Sequence, residues 1–177
     1  MRVVGLAGWS GAGKTTLLTR LIPHLVAQGL TVSTIKHAHH AFDVDVPGKD
    51  SWQHRQAGAS EVLVSSARRW ALMHELRGAD EPPLGALLQK MSPVDLVIVE
   101  GFKAAPHRKI EVHRAGNGKG FLFPDDPGIA GIATDAAVET NLPVAHLDDI
   151  VAVARLIERS AMPIADVLAG RSPDLLD

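Results

Sequence analysis

The sequence predicts a three-layer α/β fold, a mostly parallel sheet with helices on both faces, from three features. Short β-branched runs bounded by turn residues alternate with stretches of helical periodicity. The first apolar run leads through Gly8-Trp9-Ser10-Gly11-Ala12-Gly13-Lys14-Thr15 into an amphipathic segment, the strand, glycine-loop and helix order of a phosphate-binding P-loop. Charged, polar or glycine residues follow the predicted strands, at the sheet edge where such folds hold ligands.

Each element has its own signal. Met1 to Ala7 is Val-rich and bounded by glycine, as a buried parallel strand should be. Leu17, Leu18, Leu21, Ile22, Leu25 and Val26 then recur at helical spacing until Gly29, a C-terminal stop. Leu30 to Lys36 is a β-branched second strand, and His37 to Lys49 is a polar, Asp-rich loop broken by Pro47-Gly48. Asp50 or Ser51 is expected to cap a short helix through about Ala57, ended by Gly58. Glu61 to Ser65 and Trp70 to Glu75 predict a hairpin turning around Ala67-Arg68.

Leu84 to Met91 is helical in pattern behind Pro82-Pro83, and Val94 to Val99 is a near-continuous apolar strand ending in Glu100. Lys109 to His113 alternates as a strand, Gly116 to Gly120 is a loop, and Gly128 to Ala133 is a buried strand ending at Thr134-Asp135. Val144 to Leu147 predicts a last short strand. Asp148 or Asp149 is expected to cap the closing helix, whose apolar face is Ile150, Val151, Val153, Ala154 and Ile157. Residues 163–177 read as a tail.

The 177 residues suit one domain, 1–177, with a full core. A net charge of -2 gives no bulk basic excess for nucleic acid, and no apolar stretch approaches the ~20 residues that span a bilayer. The absence of cysteine removes disulfides and thiolate metal sites, and the amino end runs directly into a structural strand, so the cytoplasm is the expected location.

A helix N-terminus presents unpaired N–H groups and the positive end of a dipole, so the backbone of Gly11, Ala12, Gly13, Lys14, Thr15 and Thr16 is expected to cradle a triphosphate. Lys14 would reach the β- and γ-phosphates, the Thr15 hydroxyl would ligate Mg²⁺, and Thr16 would meet the α-phosphate side. Glu100 stands at the strand end where P-loop proteins hold the Mg²⁺ shell with an acid; a solvated strand-end Glu is the plainer alternative. Of Asp43, Asp45 and Asp50, either Asp45 or Asp50 is expected at the metal shell, with turn-making and helix capping as the alternative.

Thr134-Asp135 ends a late strand, where a GTPase places an Asp against the guanine N1–H and amino group; an N-cap would look the same. His37, His39 and His40 invite a metal reading, but alternation turns His40 away from the other two and no fourth ligand is near. Contact of the three histidines, together with Lys36, with a ligand phosphate is the stronger expectation, and a hydrogen-bonded loop is the plain alternative.

With these residues in view, the chain resembles the MobB family. The resemblance rests on Gly8 to Thr16, on Ile35-Lys-His-Ala-His-His40, on Phe42-Asp-Val-Asp-Val-Pro-Gly-Lys-Asp-Ser51, and on Val99-Glu-Gly-Phe-Lys103 followed by Lys109-Ile-Glu-Val112. It implies a P-loop GTPase fold, a homodimer with weak GTPase activity, and an accessory role to the guanylyltransferase that joins GMP to molybdopterin. On that footing the expected ligands are GTP and Mg²⁺, with molybdopterin as a further bound molecule reached by Lys36 and the histidines. Lys14, Glu100 and Asp45 carry the expected catalysis.

Turnover is expected to be slow, because no Arg finger or Gln is identifiable and such groups are worth ~10³ to 10⁵ in rate. Two other classes stay open. One is a small-molecule kinase, with Asp45 or Glu100 as base and Arg114 to Asp126 as a lid in which only Arg114 and Lys119 are basic. The other is an adaptor that uses nucleotide without hydrolysing it.

Overall fold

The computed structural model describes residues 1–38 and 42–171. His39 and His40, two of the three expected anion-binding imidazoles, lie outside the described residues. By its contacts the chain groups into two compact units, Met1–His37 with Leu84–Asp177, and Ala38–Pro83.

The larger unit contains β1 (Arg2–Ala7), α1 (Lys14–Ala27), β2 (Val32–Lys36), α3 (Leu84–Leu88), β5 (Leu96–Glu100), β6 (Lys109–His113), a 3₁₀ turn (Ala115–Asn117), β7 (Ile129–Thr134), β8 (Val144–His146), α4 (Ile150–Ser160), β9 (Met162–Pro163) and α5 (Ile164–Leu168). The smaller contains α2 (Asp50–Gln56), β3 (Glu61–Ser65) and β4 (Trp70–His74). The expected three-layer α/β fold is found. The sheet runs β2-β5-β1-β6-β7-β8, all parallel, with β9 antiparallel on β1. No helix among the described residues is long and apolar enough to cross a membrane.

Period-two alternation sorts the strand residues into two cores. Val4 and Leu6 of β1 and Leu96 and Ile98 of β5 pack against Leu17, Leu21 and Leu25 of α1 and Val153 and Ile157 of α4. Val3, Val97 and Val99 face the opposite way, against Leu84 and Leu88 of α3, Met162 and Val167. Gly131 of β7 seats α4 closely, since a methyl there would meet Leu156 Cδ1 at 2.6 Å.

Strand β6 differs. Ile110 and Val112 join the α1 and α4 core, but the other face is a buried polar row, His107, Lys109, Glu111 and His113, beginning just before the strand. Alternation like this ordinarily marks a wet face. Here the chain from Leu122 to Asp126 closes over it: Leu122 and Phe123 N–H groups donate to the Glu111 carboxylate at 2.7 and 2.9 Å, and Lys109 Nζ reaches Asp126 at 3.4 Å. Burial pushes the Glu111 carboxyl up, while those two N–H groups hold it down. Burial, with the Lys109 charge beside it, depresses His107 to about 4.

The segment expected as a tail is partly structured. Met162 and Pro163 pair with Val3 and Arg2, and Ile164 begins α5. A two-residue strand containing proline gives no periodic signal, which is why only the pairing reveals it.

In the smaller unit the expected hairpin forms in the register Glu61↔His74, Leu63↔Leu72 and Ser65↔Trp70, closed by Ser66 N–H on Arg69 O at 2.9 Å. The expected cap of α2 does not form. Lys49 is the N-cap, with no side-chain bond, and Asp50 is already helical in the first turn, where its charge suits the dipole. Ser51 is drawn instead to Asp45, donating to Oδ1 at 2.8 Å. Arg55 gathers three carboxylates, with Asp43 at 2.7 Å, Glu75 at 2.8 Å and Asp45 at 3.2 Å.

Candidate functional site

The site is built where β1 gives way to α1. Gly8 lies so close to β6 that a Cβ would collide with the Val112 carbonyl, and Gly11 and Gly13 adopt φ of 82° and 90°, the left-handed region that glycine enters at little cost. Gly13 is the N-cap of α1. No side chain caps this helix and its first turn carries no acid, so its leading N–H groups have neither an intrahelical carbonyl nor a local acceptor. Ala12 is buried beneath the loop.

A cleft of about 400 Å³ opens over this turn, lined by Ser10, Gly11, Gly13, Lys14, Thr15, Thr16, Lys36 and Glu100. Three parallel strands deliver these residues to one edge, with Leu6 of β1 and Lys36 of β2 both in register with Glu100 of β5. The Lys14 ammonium folds back onto the carbonyls of Gly8 and Trp9 at 2.8 and 3.1 Å. Burial holds it below the ordinary lysine range; Glu100 opposes that shift, and Lys103 and Lys36 reinforce it. Three ammonium groups around one acid make a concave surface suited to a polyanion.

The Thr15 hydroxyl and Glu100 carboxylate are the oxygen donors a hard divalent cation would take here. Among the described residues no three His, Asp or Glu side chains gather into a metal site.

Most of the remaining expected residues have partners of their own. His37 follows β2, donates its N–H to the Glu100 carbonyl at 2.8 Å and stacks on Phe102 at 4.7 Å; it does not line the cleft. Asp45 and Asp50 belong to the smaller unit, where Ser51 and Arg55 occupy the Asp45 carboxylate. Asp135 follows β7 and accepts the Ala115 N–H at 2.7 Å, a bond that, with Arg114 nearby, holds its carboxyl below the usual range.

Sequence reasoning had the loop after β6 only as the lid of the kinase alternative, and missed the contacts that tie it to the phosphate loop. Asn117 Nδ2 donates to the Ser10 carbonyl at 3.0 Å, and Trp9 Nε1 donates to the Gly120 carbonyl at 2.9 Å. From below, His113 donates through Nε2 to the Lys119 carbonyl at 2.9 Å, lies 3.0 Å from the Thr134 hydroxyl through Nδ1, and stacks on Phe121 at 3.8 Å. The alternation of Lys109, Glu111 and His113 gave no signal of this, since it reads equally as a solvated strand face.

Comparison with known proteins shows the family and the fold. A family model described as molybdopterin guanine dinucleotide synthesis protein B matches residues 3–135. A relative from Escherichia coli (strain K12), named molybdopterin-guanine dinucleotide biosynthesis adapter protein, is 46% identical over 149 residues, covering 82% of this chain and 84% of its own. One of the same name from Haemophilus influenzae is 41% identical, covering 88% and 87%. Among solved structures, a molybdopterin-guanine biosynthesis protein B superposes with a TM-score of 0.71 at 25% identity over 89% of this chain and 98% of that one. A Bacillus subtilis MobB gives 0.67 at 27% identity over 90% and 98%.

Proposed function

The chain belongs to the MobB family, and from that premise we propose that it binds Mg²⁺-GTP in the cleft of α1, hydrolyses it slowly, and acts as an adapter in forming the guanine dinucleotide of molybdopterin. The observation that carries the nucleotide part is the uncapped start of α1 facing a cleft with Lys14, Thr15, Lys36 and Glu100 on its walls. Backbone N–H groups and Lys14 hold the phosphates, with Lys36 adding charge. Mg²⁺, taken by Thr15 and Glu100, would neutralise charge on the β- and γ-oxygens. Asp135 reads guanine, its carboxylate being the acceptor that two adjacent N–H donors require.

Slow turnover follows from the same list: beside Lys14, the described cleft offers Glu100 as its acid and no glutamine to orient water. Participation of Asp45 or Asp50 would require Asp45 to leave Arg55 and Ser51. The adapter role implies contact with the guanylyltransferase, and Lys36, His37 and the neighbouring segment are the proposed contacts for a pterin phosphate. The exposed side chains of Leu63, Trp70 and Leu72, on one face of the β3–β4 hairpin, support a contact between chains, as in a homodimer. We place the protein in the cytoplasm.

Calorimetric titration of GTP and ATP with Mg²⁺ tests the reading. GTP is expected to bind more tightly than ATP and to lose binding in Lys14→Ala. Equal affinity for both purines would remove the role of Asp135, and no uptake of either would overturn the nucleotide assignment. Phosphate release at zero against measurable binding would leave the adapter without hydrolysis.

A further inference from the structure

We propose that Arg114 is a nucleotide-contacting residue, supplied in cis by the loop after β6, whose guanidinium binds the polyphosphate of the nucleotide held over α1. This deepens the preceding reading and rests on it.

The placement is specific. A methyl built on Gly13 would meet Arg114 Nε and Nη2 at 3.5 Å and Cζ at 3.9 Å, so the guanidinium turns its Nε–Nη2 edge toward the residue that caps α1. That puts a permanent cation at the rim of the phosphate cradle, opposite the strand ends that bring Lys36 and Glu100. Its ion pair is with Asp135 Oδ2, and at 3.5 Å this is a long contact between side chains 42% and 26% exposed.

The backbone carrying Arg114 is fixed far more firmly than its side chain. Ala115 N–H is bonded to Asp135 at 2.7 Å, Asn117 to Ser10 at 3.0 Å and Trp9 to Gly120 at 2.9 Å, while His113 and Glu111 anchor the loop from inside. A fixed backbone with a loosely held guanidinium is a preorganised donor: the group can swing to a phosphate while the loop stays in place. Guanidinium and phosphate match as a bidentate pair, stronger than the exposed, 3.5 Å contact it would give up. Asp135 then has two states, tethering Arg114 in the free protein and offering its carboxylate to the base when nucleotide is bound.

Calorimetry on the whole chain with GTP, GDP and inorganic tripolyphosphate, in Mg²⁺, distinguishes a phosphate contact from a structural prop. Arg114→Gln is expected to weaken GTP, GDP and tripolyphosphate alike by about tenfold, with Arg114→Lys recovering part of the loss and the melting temperature of the unliganded protein unchanged. Tripolyphosphate lacks a base, so a role confined to shaping the base pocket would leave its binding untouched. Tripolyphosphate and GTP affinities within twofold of the unsubstituted protein would overturn the assignment of Arg114 alone. Failure of the unsubstituted chain to take up any of the three would overturn the nucleotide reading, and this inference with it.

Discussion

Helices α1 and α4 pack on the same face of the sheet, yet their N-termini are finished in opposite ways. Asp149 closes α4, accepting the Ala152 N–H at 2.9 Å, as a structural helix requires. Gly13 opens α1 with no side-chain cap at all. A cap is worth roughly 1 kcal/mol, so its omission on the longer helix leaves donors free for something outside the helix. The difference teaches that one terminus is finished within the fold while the other is left open, as the proposed nucleotide site requires.

The sharpest way to break that contrast is Lys14→Ala, which is expected to cost about a hundredfold in GTP affinity by calorimetry, since it removes the charged partner of the phosphates. Affinity unchanged within threefold would mean that the helix terminus is not the binding element.

Next in size is Thr16→Glu, which gives α1 the acid its first turn lacks. The unliganded protein should gain a few tenths of a kcal/mol in urea unfolding while GTP binding falls about tenfold, because the same dipole now serves a carboxylate. A gain in both would erase the distinction between the two termini.

A smaller effect comes from pH. Burial lowers the Lys14 pKa, so in the free protein the ammonium loses its proton at lower pH than an ordinary lysine does. Binding needs the charged form, so affinity should be flat near neutrality, fall severalfold as pH rises through the lowered value, and be accompanied there by proton uptake. Lys14→Arg, which stays charged, should flatten the alkaline limb. The smallest change is Asp149→Ala, about 1 kcal/mol less stable with GTP affinity within twofold; a large loss of binding would show that the α4 cap also serves the ligand.

The half of the site on α1 was legible because its meaning is local: eight consecutive residues, a strand before and a helix after. Lys36 and Glu100 were legible for a related reason, since parallel strands always present their carboxyl ends together. Arg114 and Asn117 were not, because their partners Asp135 and Ser10 lie 21 and 107 residues away and no spacing encodes such a contact. Glu111 and His113 looked like the wet face of an alternating strand; only the closure of the loop buries them. Asp45 reads two ways for the opposite reason, an acid in an Asp-rich loop being equally suited to a cation or to an arginine ten residues on.

Strand β1 lies at the middle of the sheet, and its partners begin at Leu96, Lys109 and Met162. Residues 2–7 leave the ribosome roughly 5 to 20 s before β5 at ordinary translation speed. Throughout that interval Val3, Val4 and Leu6 have no sheet to enter, and the edge closed by Met162 and Pro163 waits longer still. The nascent chain thus carries a sticky, unpaired segment until those partners emerge, the kind of stretch that molecular chaperones shelter.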